Sequence, residues 1–124
     1  MVATHIDAER AYDDAQFTAK SIHQTGRQKV VLGYFGPGQF IPVHAPDSDV
    51  AITVLDGTGT VRDGADDRRV EPGSVVVVPA GTDRGVRADD DSRLEATLVT
   101  APPPTDAEHE PVRRGLERGE FDPD

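Results

Sequence analysis

The sequence predicts an all-β domain, folded as a β-sandwich or a closed barrel. Short runs of β-branched and aromatic residues recur along the chain. Clusters of Gly, Pro and Asp separate them at the spacing of about 8–12 residues that is typical of such folds. The 124 residues suffice for one domain with a single hydrophobic core. The chain has no cysteine, which excludes disulfides, zinc fingers, iron–sulfur clusters and thiol nucleophiles.

Residues 1–29 are predicted to form an N-terminal arm and the first strand or strands. The polar stretch 6–14 favours one or two helical turns with Asp7 as the N-cap. A loose alternation over residues 17–23 predicts a strand, and the Gln-Thr-Gly-Arg sequence that follows predicts a hairpin turn.

The barrel itself is predicted over residues 30–103. Runs rich in β-branched and aromatic residues predict strands at 29–35, 39–44, 50–55, 59–62, 85–88 and 94–100. Pro42 confines its strand to a sheet edge or a bulge. The uninterrupted apolar run 75–78 predicts a fully buried strand, whereas the charged residues 66–69 predict a polar loop tip.

Residues 104–124 form a charged C-terminal tail that is predicted to be helical. Thr105 or Asp106 is suited to cap a helix running through Leu116, and Gly119 lies where such a helix would end. The fold prediction is therefore an all-β domain with short helical extensions at both ends.

The charge balance is strongly acidic and argues against polyanionic partners. Asp and Glu number 23 against 13 Lys and Arg, so the net charge is −10. Such a surface repels nucleic acid and anionic lipid, and we expect neither nucleic acid nor a membrane as a partner. No apolar run is long enough to span a bilayer, and the first residues lack the pattern of a signal peptide. We therefore expect a cytoplasmic protein.

The choice of charged residues points to high salt. The chain has 16 Asp, and its bases are 11 Arg and only two Lys. This composition resembles that of proteins from extreme halophiles, such as haloarchaea, in which salt screens the repulsion between surface carboxylates. An ordinary acidic protein encoded by GC-rich DNA is the alternative, because such DNA also favours Arg over Lys.

Two segments resemble the paired motifs of the cupin superfamily. Residues 38–44 (GQFIPVH), followed by Asp56-Gly57, resemble the first motif, and residues 73–81 (GSVVVVPAG) resemble the second. The short stretch between them is typical of small single-domain cupins. The resemblance covers about residues 30–103. It implies a double-stranded β-helix, which is a small jelly-roll barrel, and a homodimer.

The resemblance also implies a metal site, of which this chain keeps one ligand in four. Cupins of this type bind Mn, Fe, Ni, Cu or Zn through two His and one Glu of the first motif and a His of the second. The corresponding residues here are His44, Pro46, Val50 and Arg84. A single imidazole holds a divalent cation weakly, and an Arg repels it. This set of residues therefore predicts a protein without a metal cofactor. If a metal ion is bound after all, His44 is the expected ligand.

Six further side chains stay open as replacement ligands: Asp47, Asp49, His5, His23, His109 and Glu95. The two aspartates lie in a predicted turn, where Asp is common in any case. The three histidines are more simply explained as surface residues. The glutamate is expected to point outward, because the apolar residues of its strand occupy the opposite face.

The two-residue period of strands predicts the lining of the barrel. The residues His44, Val50 and Arg84 occupy positions that point into the barrel. Residues at even spacing from them on the same strands should also point inward, and these are Phe40, Ile52, Val54 and Val86. By the same alternation Arg87 points outward. Tyr34 is a further candidate polar group, although core and interface roles are commoner for it. The result is an apolar cup with two polar groups near its mouth, which is the usual makeup of a small-molecule pocket.

Three functions fit this lining. The first is a metal-free, non-enzymatic protein with an accessory or regulatory role. It binds a small, partly apolar anion between the planar fork of Arg84 and His44, which becomes cationic below about pH 6.5. The second is a metal-dependent enzyme, a dioxygenase or isomerase, with unorthodox ligands around His44. The third is a dimeric interaction module whose own side chains fill the pocket. For the dimer itself, the resemblance implies that two copies pair sheet faces or exchange N-terminal strands, and residues 17–23 are a candidate exchanged edge.

Overall fold

Nine strands and one short α-helix make up the computed structural model, which describes residues 1–122. The elements are β1 (Thr18–Gln24), β2 (Lys29–Phe35), β3 (Phe40–His44), β4 (Asp49–Gly57), β5 (Gly59–Asp63), β6 (Asp66–Val70), β7 (Val75–Val78), β8 (Arg84–Ala88), β9 (Leu94–Ala101), a 3₁₀ turn (Ala107–His109) and α1 (Glu110–Arg118). Residues 123–124 of the predicted tail lie outside the described residues.

The strands form two antiparallel sheets that pack face to face as a jelly roll. One sheet has the order β1-β2-β9-β4-β7 and the other the order β3-β8-β5-β6. Neighbours in these orders are mostly distant in sequence, as in the predicted double-stranded β-helix. The all-β jelly-roll prediction is confirmed.

The core lies between the inner faces of the two sheets. Its buried members come from alternate positions of the strands and are Phe35, Val50, Ile52, Val54, Val61, Val70, Val78, Val86, Ala88, Leu94 and Ala96. The alternation follows from strand geometry, since successive side chains point to opposite faces. The described residues contain no helix that is long and apolar enough to cross a membrane.

A glycine allows the turn between β4 and β5 to pass close to the loop before β9. Gly57 has φ +80°, and a Cβ atom placed on it would lie 1.7 Å from the carbonyl oxygen of Arg93. No other residue fits both the conformation and the space. The Asp56-Gly57 pair therefore marks a tight turn in the barrel.

The prediction of a loop tip at residues 66–69 was wrong. These residues belong to β6, which pairs with β5 from Asp63↔Asp66 to Gly59↔Val70. The strand lies at the edge of the four-stranded sheet, and only Val70 is buried. Charged side chains suit an exposed edge strand, because they discourage pairing with other chains.

The prediction of a fully buried strand at residues 75–78 was also wrong. Strand β7 lies at the edge of the five-stranded sheet. Val78 is buried, but Val75 and Val77 are 63% and 61% exposed. A continuous apolar run does not reveal which face of a strand is covered. Here the outer face has no covering element within the described chain.

The N-terminal arm forms one hydrogen-bonded turn rather than a helix. The N–H groups of Ala8 and Glu9 donate to the carbonyl oxygen of His5, at 2.9 and 3.3 Å. Asp7 is therefore not an N-cap, and its own N–H donates to the His5 ring. The arm then reaches the outer face of the five-stranded sheet, where Tyr34 donates its hydroxyl proton to the carbonyl oxygen of Ile6 at 2.7 Å.

Glu95 lies under this arm and is fully buried, although its strand alternation places it on the outer face as expected. Its carboxylate accepts hydrogen bonds from Arg10 Nε at 2.6 Å, Arg10 Nη2 at 2.8 Å and the Tyr12 hydroxyl at 2.6 Å. The arm thus supplies each of these hydrogen-bond donors. The strand pattern alone predicts that Glu95 is exposed to solvent. In the structure Glu95 instead binds the N-terminal arm through Arg10 and Tyr12.

The C-terminal segment begins with a capping box. The Glu108 N–H donates to Thr105 Oγ1 at 3.3 Å, and the Glu108 carboxylate accepts from the Thr105 N–H at 2.8 Å. Helix α1 extends two residues beyond the predicted Leu116 and ends at Gly119, which has φ 67°. The helix packs on β3, since a Cβ atom on Gly115 would lie 2.5 Å from Pro42.

Candidate functional site

A cavity of about 340 Å³ lies between the inner faces of the two sheets. Strands β2, β4 and β9 form one wall, and β3 and β8 form the other. The C-terminal segment contributes Pro104, His109, Val112 and Arg113 to the lining. Most of the remaining lining is apolar: Phe17, Ala19, Val31, Ile41, Pro46, Val50, Ile52, Val86 and Leu98.

Every ionisable side chain that lines this cavity is basic. These residues are Lys29, His44, Arg84, His109 and Arg113. Within the described chain, no Asp or Glu lines the cavity, although the sequence has 23 of them. Arg113 is paired with Asp106 and Glu110 on its own segment. The electrostatic character of the cavity is thus opposite to that of the molecule as a whole.

Arg84 is a buried guanidinium without a carboxylate partner. It is 5% exposed, and no Asp or Glu among residues 1–122 forms an ion pair with it. Its Nη2 donates to the Pro79 carbonyl at 2.9 Å, and its Nε lies 3.5 Å from the Thr82 carbonyl. Its Nη1 is buried and has no hydrogen-bond partner in the described chain. Burial lowers the Arg84 pKa, because it disfavours the charged form, and the longer-range charges of Asp49 and Glu108 offset this only in part.

His44 is held in one tautomer by the backbone. Its Nδ1 lies 3.0 Å from the Pro42 carbonyl, which can only accept, so Nδ1 carries the hydrogen. Burial lowers the His44 pKa to about 4, and the positive charges of Arg84 and His109 act in the same direction. The imidazole is therefore neutral at pH 7 with Nε2 as an acceptor. The prediction that His44 becomes cationic below about pH 6.5 was wrong, because burial lowers the pKa of its imidazole.

Five of the seven predicted binding residues line the cavity: His44, Val50, Ile52, Arg84 and Val86. Arg87 is exposed, as the alternation of β8 predicts. Val54 is buried in the core but is not part of the cavity wall. Phe40 lies elsewhere, against Phe121 of the C-terminal segment.

A β-bulge explains the displacement of Phe40. The pairing of β3 with β8 shifts between Ile41 and His44. An extra residue in one strand exchanges the two faces beyond it, so Ile41, rather than Phe40, shares the cavity with His44. Pro42 lies inside this bulge. The sequence therefore predicted where the strand is irregular, but not that the bulge changes which residues face the cavity.

The proposed replacement metal ligands are scattered. Asp49 accepts a hydrogen bond from the Ala80 N–H, and the Asp47 N–H donates to Glu108. His5 and His23 line a separate groove beside the N-terminal arm. Of the six candidates, only His109 lines the cavity that contains His44. Within residues 1–122, no group of three or more His, Asp or Glu side chains is placed to hold a metal ion.

The polar lining residues that were missed from the sequence are Lys29, Thr100 and Arg113. The alternation of β9 could have predicted Thr100, because it lies on the same face of the strand as Ala96 and Leu98. Lys29 likewise shares the parity of Val31. Arg113 reaches the cavity only because the tail folds back over the barrel, which no local pattern shows.

Comparison with known proteins identifies the family to which these features belong. A family model described as Cupin domain matches residues 31–100. The crystal structure of TT1209 from Thermus thermophilus is 30% identical, with a TM-score of 0.80 over 84% of this chain and 100% of that one. An RmlC-like cupin protein from Desulfovibrio desulfuricans is 32% identical, with a TM-score of 0.71 over 83% and 99% of the two chains. No curated protein matches the sequence.

Proposed function

This chain belongs to the cupin domain family, and from that premise we propose that its barrel binds a small, partly apolar organic anion without a metal cofactor. The observation that carries the proposal is Arg84, a buried cation without a carboxylate partner in a cavity lined by no acid of the described chain. Burial of a charge is costly unless an opposite charge or hydrogen bonds compensate it. The anionic group of a ligand supplies the missing compensation.

The dimensions and lining of the cavity support a small organic molecule. A volume of about 340 Å³ lies at the lower end of the range for small-molecule sites, about 300–1,000 Å³. The apolar wall suits a hydrocarbon portion, and the basic residues suit one negatively charged end. The role that fits such a site without a catalytic group is accessory or regulatory binding.

The donor set does not fit a divalent cation. The cavity offers only two imidazoles, those of His44 and His109, and no carboxylate among the described residues. Arg84 lies beside His44 in the paired strands β3 and β8 and repels a cation there. Transition metals in proteins are held by several N, O or S ligands, which these residues do not supply.

The alternative is a metal-dependent enzyme, a dioxygenase or isomerase, built around His44. The observation that favours it is the presence of a second imidazole, His109, near enough to affect the His44 pKa. Metal analysis of untagged protein separates the two functions. The metal-free proposal expects less than about 0.2 metal ion per chain. Stoichiometric metal that is lost in His44→Ala establishes the alternative.

The ligand proposal is tested by thermal shift at high KCl with a panel of small carboxylates and phosphates. Each hit is measured by calorimetry on Arg84→Met and on a matched control, Arg87→Met, which removes an exposed Arg from the same strand. A desolvated charge-assisted contact is worth about 1.5–3 kcal/mol, so Arg84→Met should weaken binding about 10- to 100-fold. Binding that survives Arg84→Met unchanged, or that depends on Arg87, contradicts the proposal.

We also propose a homodimer that uses the outer face of the five-stranded sheet. Leu55, Val75 and Val77 expose 44%, 63% and 61% of their surface on neighbouring strands β4 and β7. A second copy of this chain is the occupant that the resemblance implies. Light scattering should give twice the 13.3 kDa chain mass. Val77→Glu should give the monomer mass, and Arg68→Glu on the other sheet should not. A monomeric wild type contradicts the dimer.

We also propose a cytoplasmic setting with high salt, and the composition supports the high salt. The net charge of −10 and the 16 Asp residues fit a surface that salt must screen. This proposal concerns the environment of the protein and is independent of the ligand.

A further inference from the structure

Two buried polar atoms without hydrogen-bond partners lie in the same cavity. They are Arg84 Nη1 and Thr100 Oγ1, and both residues line the cavity. The third such atom of the described chain, Ser48 Oγ, belongs to a residue outside the lining. Buried polar atoms are nearly always hydrogen-bonded, and each exception calls for an explanation. A shared ligand explains both atoms at once.

The two atoms belong to opposite walls. Thr100 is on β9, where its register partners are Lys29 on β2 and Val50 on β4. Arg84 is on β8 and pairs with His44 on β3. One wall therefore carries a hydroxyl beside an ammonium group, and the other carries a guanidinium beside an imidazole. All four residues line the same cavity, so a ligand between the walls would lie among these groups.

These groups differ in what they can donate and accept. Arg84 Nη1 only donates, whereas Thr100 Oγ1 donates and accepts. His44 uses its Nδ1 hydrogen on the Pro42 carbonyl, which leaves Nε2 with a lone pair. A bare carboxylate brings acceptors alone and leaves an acceptor of the cavity without a partner. The complementary ligand also carries a hydrogen-bond donor.

We propose that the ligand is a small hydroxycarboxylate with an aliphatic remainder. Its carboxylate accepts from Arg84 Nη1, and its hydroxyl group contacts Thr100 Oγ1 and His44 Nε2. The aliphatic part occupies the apolar wall near Ile52 and Leu98. This inference rests on the proposed function, because it names the ligand class for the same site.

The experiment uses calorimetry at high KCl with three matched acids that differ at one carbon. They are 2-hydroxy-4-methylpentanoate, 4-methyl-2-oxopentanoate and 4-methylpentanoate. The hydroxy acid should bind at least about tenfold more tightly than the other two, because only its hydroxyl group pairs with both Thr100 and His44. The oxo acid tests the donor specifically, because its oxygen accepts from Thr100 but gives nothing to His44.

Variants then assign the discrimination to its residues. Thr100→Val, which conserves the shape of the side chain, should weaken the binding of both the hydroxy acid and the oxo acid, because both contact Thr100 Oγ1. The affinity for 4-methylpentanoate should stay unchanged, so the preference of the hydroxy acid over it should fall. Thr100→Ser should retain the preference. Thr97→Val is the matched control, because Thr97 is on the same strand but lines the groove on the outer face. Arg84→Met should weaken the binding of all three acids about equally.

The outcomes separate this inference from the proposed function. Equal binding of the three acids, lost in Arg84→Met, overturns the hydroxycarboxylate and leaves the anion site in place. A preference of the hydroxy acid over 4-methylpentanoate that is unchanged in Thr100→Val also overturns the inference. If none of the three acids and no other small anion binds the wild type, both the inference and the proposed function fail.

Discussion

Glu95 and Arg84 are both buried charges, but the chain treats them in opposite ways. Glu95 lies on the outer face of the five-stranded sheet and receives three hydrogen bonds from Arg10 and Tyr12. Arg84 lies on the inner side of the other sheet and has only backbone carbonyls as partners within the described chain, with Nη1 left unpaired. Glu95 has an ion-pair partner, whereas Arg84 has none within the described chain and is affected by Asp49 and Glu108 only at longer range.

The difference separates a structural role from a binding role. The hydrogen bonds of Arg10 lower the Glu95 pKa, so folding favours its charged form. Burial lowers the Arg84 pKa, so folding disfavours its charged form. A buried charge without an ion-pair partner costs stability, because it loses its hydration without a close opposite charge. Its presence in a cavity therefore points to a partner from outside the chain.

The largest expected effect is the loss of the Glu95 network. Glu95→Gln replaces a buried carboxylate and its charged hydrogen bonds, so we expect the free energy of unfolding at pH 7 to fall by about 2–3 kcal/mol. Denaturant titration measures it. The control is Glu71→Gln, which changes the charge at an exposed position. A loss as small as that of the control would show that the arm contributes little to stability.

The pH dependence sharpens the same prediction. The folded-state pKa of Glu95 lies below its ordinary value of 4.5, so the carboxylate contributes stability above that pH. This contribution is lost as the pH falls from 4.5 through the folded-state pKa. The stability gap between wild type and Glu95→Gln should therefore be constant near neutral pH and close in acid. A stability difference between wild type and Glu95→Gln that grows in acid would contradict the lowered pKa of Glu95.

Arg84→Met should act in the opposite direction, by a smaller amount. The substitution removes an uncompensated buried charge and fills its space, so without ligand we expect the free energy of unfolding to stay equal or to rise by about 1 kcal/mol. Denaturant titration without small anions measures it. A loss comparable to that of Glu95→Gln would make Arg84 a structural residue and remove the contrast between the two charges.

The smallest expected effect is that of salt on the difference in melting temperature between the wild type and Glu95→Gln. Lowering KCl from about 1 M to about 0.1 M lengthens the screening distance from about 3 Å to about 10 Å. The melting temperatures of wild type and Glu95→Gln should both fall, because surface carboxylates then repel more strongly. Their difference should stay nearly constant, since Glu95 is buried. A wild-type melting temperature that is flat over this range contradicts the adaptation to high salt.

Most of the fold was predictable because it depends on local pattern. Turns with Gly, Pro and Asp divided the chain, and strand alternation identified the inward faces of β4 and β8. Both signals act over a few residues and need no knowledge of the rest of the chain. The paired motifs then predicted how the strands assemble, and the family match over residues 31–100 agrees.

The errors concern positions whose environment depends on distant elements. The edge strands β6 and β7 were misread, because a strand's exposure depends on its place in the sheet order. The bulge in β3 exchanged Phe40 for Ile41, because register depends on the pairing with β8. At the candidate site, His44, Val50 and Arg84 followed from the sequence, whereas Lys29 and Arg113 did not.

The sequence by itself determined that the chain folds into an all-β barrel, since this depends on residue types at fixed spacings. Only the tertiary structure decided how each buried charge is compensated. The N-terminal arm reaches Glu95 across 85 positions of the sequence, whereas no acid of the described chain comes within ion-pair distance of Arg84 and Asp49 and Glu108 act on it only from farther away. Charge compensation depends on distance in space, which the order of residues does not specify.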